Sequence, residues 1–203
     1  MERPRGYLLD LLMATMNSIA TWTTAAGDPR IGLQWRDRVT EIMIAAGRYR
    51  PYEELVARAA RALELDAGAP DALRTAWPEM EPWPDADALD DLDVPYAFVT
   101  NCSEDLARIA VERSGRRPAF TLSAESAGWF KPRAEIYRAA SGRMGLRPSQ
   151  VRFIAGAPYD ALGASNAGLH AVLVARRALE TPMPDAVPVV RSLDQALALD
   201  PWC

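Results

Sequence analysis

Five short apolar runs, at residues 7–9, 96–99, 119–122, 151–155 and 171–174, constrain this chain more than any other feature. A strand with one wet face alternates polar and apolar residues; a continuous apolar run of strand length is buried on both faces, as in a parallel sheet covered by helices. Helical patterns separate the later runs. Ser103 followed by Glu104 and Asp105 supplies an N-cap and an acidic first turn for a helix running towards Gly115. Pro132, then Ile136, Ala139, Ala140 and Met144, predicts a helix beginning at the Lys131-Pro132 pair and closed by Gly145. The expected class is α/β, a Rossmann-like parallel sheet.

Between Asp10 and Tyr96 the texture changes. Trp35, Val39, Ile42 and Met43 recur at helical spacing, as do Leu55, Val56, Ala59, Ala60 and Leu63, and β-rich runs are missing. Pro78, Pro82, Pro84 and Pro95 punctuate the return to the sheet. The chain therefore reads as a core over residues 1–14 and 93–203 with a helical cap, residues 15–92, inserted after the first strand. Trp22, Trp35, Trp77 and Trp83 fall in the insertion, either as its own small core or as an apolar inner face over a site.

A net charge of −4 gives no footprint for nucleic acid or an anionic membrane surface. No apolar segment reaches membrane-spanning length, and residues 1–6 lead only into a short apolar stretch. Cys102 and Cys203 make neither a disulfide framework nor metal-ligand spacing, so a reduced, cytoplasmic setting is expected.

In an open parallel sheet, ligands bind beyond the carboxyl ends of the strands. Polar residues stand at three such ends: Asp10, then Thr100 and Asn101, then Asp160 in the predicted loop after residues 151–155. Lys131 lies between the last two. It is the only lysine in 203 residues, every other basic side chain of the 23 being arginine. Arginine is a planar fork; lysine is a compact point charge suited to a place between carboxylates.

This order, with a helical insertion after the first element, resembles the haloacid dehalogenase superfamily, and most closely its L-2-haloacid dehalogenase branch, over nearly the whole chain. The resemblance implies Asp10 as a nucleophile that attacks carbon, displaces a leaving group such as halide and forms an ester later cleaved by water. It implies Trp35-Arg36 as the pair whose arginine receives the leaving anion, Thr100 and Asn101 as substrate anchors, Lys131 beside the nucleophile, Tyr137 as a further substrate-binding residue and Asp160 as the partner of Lys131. Relatives of this branch are commonly dimeric, so a homodimer or a partner subunit is an open expectation.

Four positions depart from the pattern. Family phosphatases carry a second aspartate two residues after the nucleophile to bind Mg²⁺; here it is Leu12, which offers no oxygen to a hard cation, so no metal or other cofactor is expected. Leu12 also replaces a dehalogenase tyrosine, Ala14 replaces a hydroxyl that orients the nucleophile, and Ala155 and Ala157 replace the Ser-x-Asn segment that positions it and the hydrolytic water. Three readings follow: a metal-independent hydrolase, a relative in which an internal nucleophile or an elimination completes a biosynthetic reaction without water, and a noncatalytic binding protein.

Plainer identities stand beside these roles. Asp10 by itself is a surface carboxylate after a strand, Arg36 one of several arginines on its helix, Tyr137 a packed aromatic and Cys102 a small buried residue. His170, the only histidine, has no acid and nucleophile partner in sequence, and Gly156, Gly163 and Gly168 fail the dinucleotide spacing.

Overall fold

The computed structural model describes residues 3–179 and 181–199; Cys203 and the first two residues of the chain lie outside them. Six parallel strands form one sheet in the order β3-β2-β1-β4-β5-β6, with β1 Gly6–Asp10, β2 Tyr96–Thr100, β3 Thr121–Ser123, β4 Val151–Ala155, β5 His170–Val174 and β6 Val189–Val190. Each of the five predicted runs becomes a strand. Every residue of β1, β2 and β4 is buried, as continuous apolar runs between two helical layers require. The sixth strand, two residues long, was not expected.

β1 lies between β2 and β4, and the chain builds one half of the sheet before crossing to the other. The reversal falls between β1 and β4, where an α/β sheet opens its crevice. Asp10, the last residue of β1, is at that point.

Between β1 and β2 the described elements are helical. A π-helical turn, Leu11–Thr15, leads into α1 Ser18–Ala26, α2 Pro29–Ala46, α3 Tyr52–Ala62 and α4 Ala69–Ala76. Asp28 caps α2 by accepting from the Arg30 and Ile31 amides, with Pro29 at the first helical position. The tryptophans are mostly packing. Trp22 and Trp35 meet edge to face at 4.9 Å, and the indoles of Trp35 and Trp77 donate to the Val56 and Leu106 carbonyls.

After β2 come α5 Glu104–Ser114, α6 Ala124–Ala127, α7 Ala134–Arg143, α8 Pro158–Asn166 and α9 Leu193–Ala198. Gly115 ends α5 with φ of 66°, and Gly145 follows α7 with φ of 73°. Three local expectations are corrected. Ser103 precedes α5 but its hydroxyl donates to Glu53, and Glu125 accepts the Glu104 amide instead. Lys131 sits in a turn three residues ahead of α7, because the helix starts only at Ala134. Asp160 belongs to the first turn of α8 and not to a loop, since Pro158 starts that helix directly after β4.

Three contacts fix the π-turn that follows Asp10. Gly156, just after β4, is pressed so closely to it that a Cβ would run into Met13 and the Ala14 amide. Trp83 donates to the Met13 carbonyl, and Arg176, bidentate with Asp85 and stacked on Trp83, donates to the Ala14 carbonyl at 2.7 Å. Among the described residues no helix is long and apolar enough to cross a membrane.

Candidate active site

The Lys131 ammonium is 1% exposed and stands between two carboxylates, donating to Asp10 Oδ1 at 2.7 Å and Asp160 Oδ2 at 2.6 Å. Its third bond goes to the Val99 carbonyl at 3.2 Å. An ammonium has three N–H donors, so the head group is saturated. The lysine is held from its backbone as well: Asn101 Oδ1 accepts the Lys131 amide at 2.7 Å while Asn101 Nδ2 donates to its carbonyl at 3.3 Å. The second carboxylate oxygen of Asp10 accepts from the Met13 amide at 3.0 Å, which fixes the rotamer and caps the π-turn. Behind the lysine, the Tyr137 hydroxyl donates to Asp160 Oδ1 at 2.6 Å.

One ammonium between two carboxylates leaves the cluster one negative charge in excess. Burial opposes the charge on Lys131, but Asp10 and Asp160 together overcome it and hold the ammonium above its ordinary pKa. Asp160 takes the strain of the shared cation: burial pushes its carboxyl up to about 6, Lys131 pulls against that rise, and the Asp10 charge adds to it.

Asp10, Arg36, Thr100, Asn101 and Lys131 line one small cavity of about 40 Å³. Arg36 reaches it from α2, whose Val39, Thr40 and Met43 share that face at helical spacing. Its side chain is only 12% exposed and pairs with Asp37 at 2.9 Å. The expected set thus converges, with two qualifications. Asn101 engages its amide with Lys131, so it braces the lysine before it meets any ligand. Tyr137, expected to bind substrate, does not line the cavity; it is fully buried behind Asp160 and packed edge-on against Phe153.

Sequence reasoning missed Tyr159 and Tyr52, both of which line the cavity. Burial pushes the Tyr159 phenol up to about 12, partly offset by Lys131, and raises Tyr52 further, so both are neutral hydroxyls at ordinary pH. Adjacency to Asp160 was the available signal for Tyr159; Tyr52 carried none. Trp22 lines the cavity as well as packing on Trp35. Leu12 adds an apolar wall, and Ala14 is buried.

These groups do not suit a divalent cation. Among the described residues no cluster of three or more His, Cys, Asp or Glu could hold one, and both carboxylates nearest the cavity are tied to the Lys131 ammonium.

The chain matches no protein-family model. It is similar to (S)-2-haloacid dehalogenase 4A of Burkholderia cepacia, 26% identical over 187 residues that cover 85% of this chain and 80% of that protein. Its fold is similar to that of a dehalogenase solved with an intermediate complex, at a TM-score of 0.83 and 22% identity over 97% of each chain. It is similar too to the L-2-haloacid dehalogenase of Xanthobacter autotrophicus with chloropropionic acid covalently bound, at a TM-score of 0.80 and 19% identity over 95% of this chain and 96% of that one. With a carboxylate at the end of β1, a lysine braced between it and a second carboxylate, and a helical insertion between β1 and β2, this chain is similar in sequence and in fold to haloacid dehalogenases, L-2-haloacid dehalogenases among them.

Proposed function

We propose that this protein is a metal-independent, dehalogenase-like hydrolase in which Asp10 displaces a leaving group from carbon. The observation that carries the reading is one small cavity lined together by Asp10, Arg36 and Lys131, with the Lys131 ammonium bonded to the Asp10 carboxylate. A carboxylate is a weak nucleophile in water because it is strongly solvated; here it is 6% exposed, with its charge compensated by a fixed ammonium. A carboxylate oxygen attacks the carbon, the carbon–halogen bond breaks, and halide leaves with the electron pair towards Arg36. Ester formation removes one negative charge from a cluster that holds one too many, so the attack is favoured by the electrostatics that burial creates. Water added at the Asp10 carbonyl carbon then returns the acid and releases a hydroxy product. Residues 15–92 act as the cap that carries Arg36 over the site.

A second reading draws on a specific observation. Asp160 does not line the cavity, and Ala155, Gly156 and Ala157 carry no side-chain group to hold a water. In that reading displacement is completed by a nucleophile within the substrate or by elimination.

Turnover of 2-haloacids in ¹⁸O-water, followed by mass spectrometry of the Asp10 peptide and of product, separates these. Label entering Asp10 supports the ester route. A ring-closed or unsaturated product without label supports the second reading. Labelled hydroxy acid with an unlabelled Asp10 after many turnovers would sink the nucleophile. Dialysis against EDTA is expected to leave the rate unchanged.

The Tyr137–Asp160 bond gives a pH prediction. Below about pH 6 Asp160 takes up a proton and its hold on Lys131 weakens, so kcat/KM should fall on the acid side near that value. The Tyr137 hydroxyl favours the ionised carboxylate. Tyr137→Phe should therefore move the acid limb to higher pH, with a stability loss of about 1–3 kcal/mol. An unmoved limb would show that Asp160 does not set it.

A further inference from the structure

The cavity at Asp10 opens beside a second one of about 450 Å³, and four residues, Met13, Arg36, Thr40 and Tyr159, belong to the walls of both. The sizes differ by an order of magnitude. Water occupies roughly 10–15 Å³ in this measure, so the inner space takes about three water molecules, room for a small reacting end and not for a hydrocarbon chain. The outer space lies within the range of ligand pockets.

The outer walls are mainly apolar: Pro158 and Leu162 from α8, Leu173 and Ala175 at the end of β5, and Met183 beyond it. Leu162 is 37% exposed, one of the few large apolar side chains left open to solvent. Gly156 and Ala157 contribute only backbone and a methyl to the same wall. Charged groups line it as well, Arg36, Asp37 and Glu41 from α2 and Arg176 and Arg177 after β5, and Asp37 pairs with both Arg36 and Arg177. A largely apolar chamber that shares the Arg36 guanidinium with the inner cavity suits a molecule with an acidic head and a hydrocarbon body.

We infer that the substrate is an α-substituted acid with an extended hydrocarbon chain: its reacting end enters the inner cavity and its chain lies in the outer one against Leu162, Leu173 and Met183. This rests on the reading of Asp10 as nucleophile. Burial of a methylene is worth about 0.8 kcal/mol, or about fourfold per carbon. Across straight-chain 2-bromo acids, kcat/KM should rise by on the order of 100-fold or more from the three-carbon to the eight-carbon acid. In Leu162→Trp, which fills the chamber from an exposed helix position, the slope of that rise should flatten or reverse.

A flat or falling profile in the native protein, with an Asp10 ester still detected, overturns the chain-length inference and leaves the nucleophile standing. If no acid of any length forms the ester, the nucleophile reading fails and the chamber is judged by binding alone. Calorimetric titration should then show octanoate binding more tightly than propionate, with the difference reduced in Leu162→Trp; equal binding overturns it.

Discussion

Asp10→Asn is expected to lower turnover by about 10⁴-fold or more and to abolish the covalent adduct, while leaving the fold intact. Asparagine has nearly the shape of aspartate but only one acceptor oxygen, whereas Asp10 accepts from both Lys131 and the Met13 amide. One of the two bonds is therefore lost. The charge balance improves, however: the cluster passes from one excess negative charge to neutrality, with Lys131 still paired to Asp160. These effects oppose each other, so the melting temperature should change little. Thermal denaturation together with intact-protein mass spectrometry during turnover checks both halves. A variant within tenfold of the native rate would remove Asp10 as nucleophile.

Lys131→Met should be the most damaging single change to stability. Methionine matches the volume and leaves Asp10 and Asp160 buried with no cation between them. Removing one member of a buried ionic cluster costs about 3–5 kcal/mol, and at this chain length each kcal/mol shifts Tm by roughly 2–4 °C. Without its cation the folded cluster binds protons more tightly than the unfolded chain does. Stability should thus be recovered as pH falls towards 5 and lost as it rises, the folded state holding the extra proton. Turnover should fall by on the order of 10³-fold even where the variant is folded. Lys131→Arg should not rescue it, because three acceptors at 2.6–3.2 Å converge on one nitrogen and a planar fork presents its donors elsewhere. Thermal melts from pH 5 to 8 and rates at the permissive pH test this. A native-like melt at neutral pH would show that the two acids do not share the lysine.

The sheet was legible because strands covered on both faces are written as uninterrupted apolar runs, and all five such runs pair in parallel. Val189–Val190 escaped because two residues in a proline-rich stretch carry no period. Asp10, Lys131 and Asp160 were recognisable as an ordered set placed near strand ends, although none is distinctive alone. What did not transfer was the direction of side chains. Tyr137 was expected at the ligand because of its distance from Lys131 in sequence, yet one helical turn carries it behind Asp160. Asn101 was read as an anchor and is first a brace. Tyr52 and Tyr159 were not singled out in the sequence, since only the folded chain brings them into the cavity wall. Ser103 failed as a cap because Glu53, fifty residues away, competes for its hydroxyl.

The single lysine has one more consequence, at the bench. With the chain's sole ε-amine enclosed and hydrogen-bonded on every proton, acylating reagents find no lysine on the folded molecule. Modification at position 131 then clocks how often the interior gapes, which makes the protein its own reporter of transient opening.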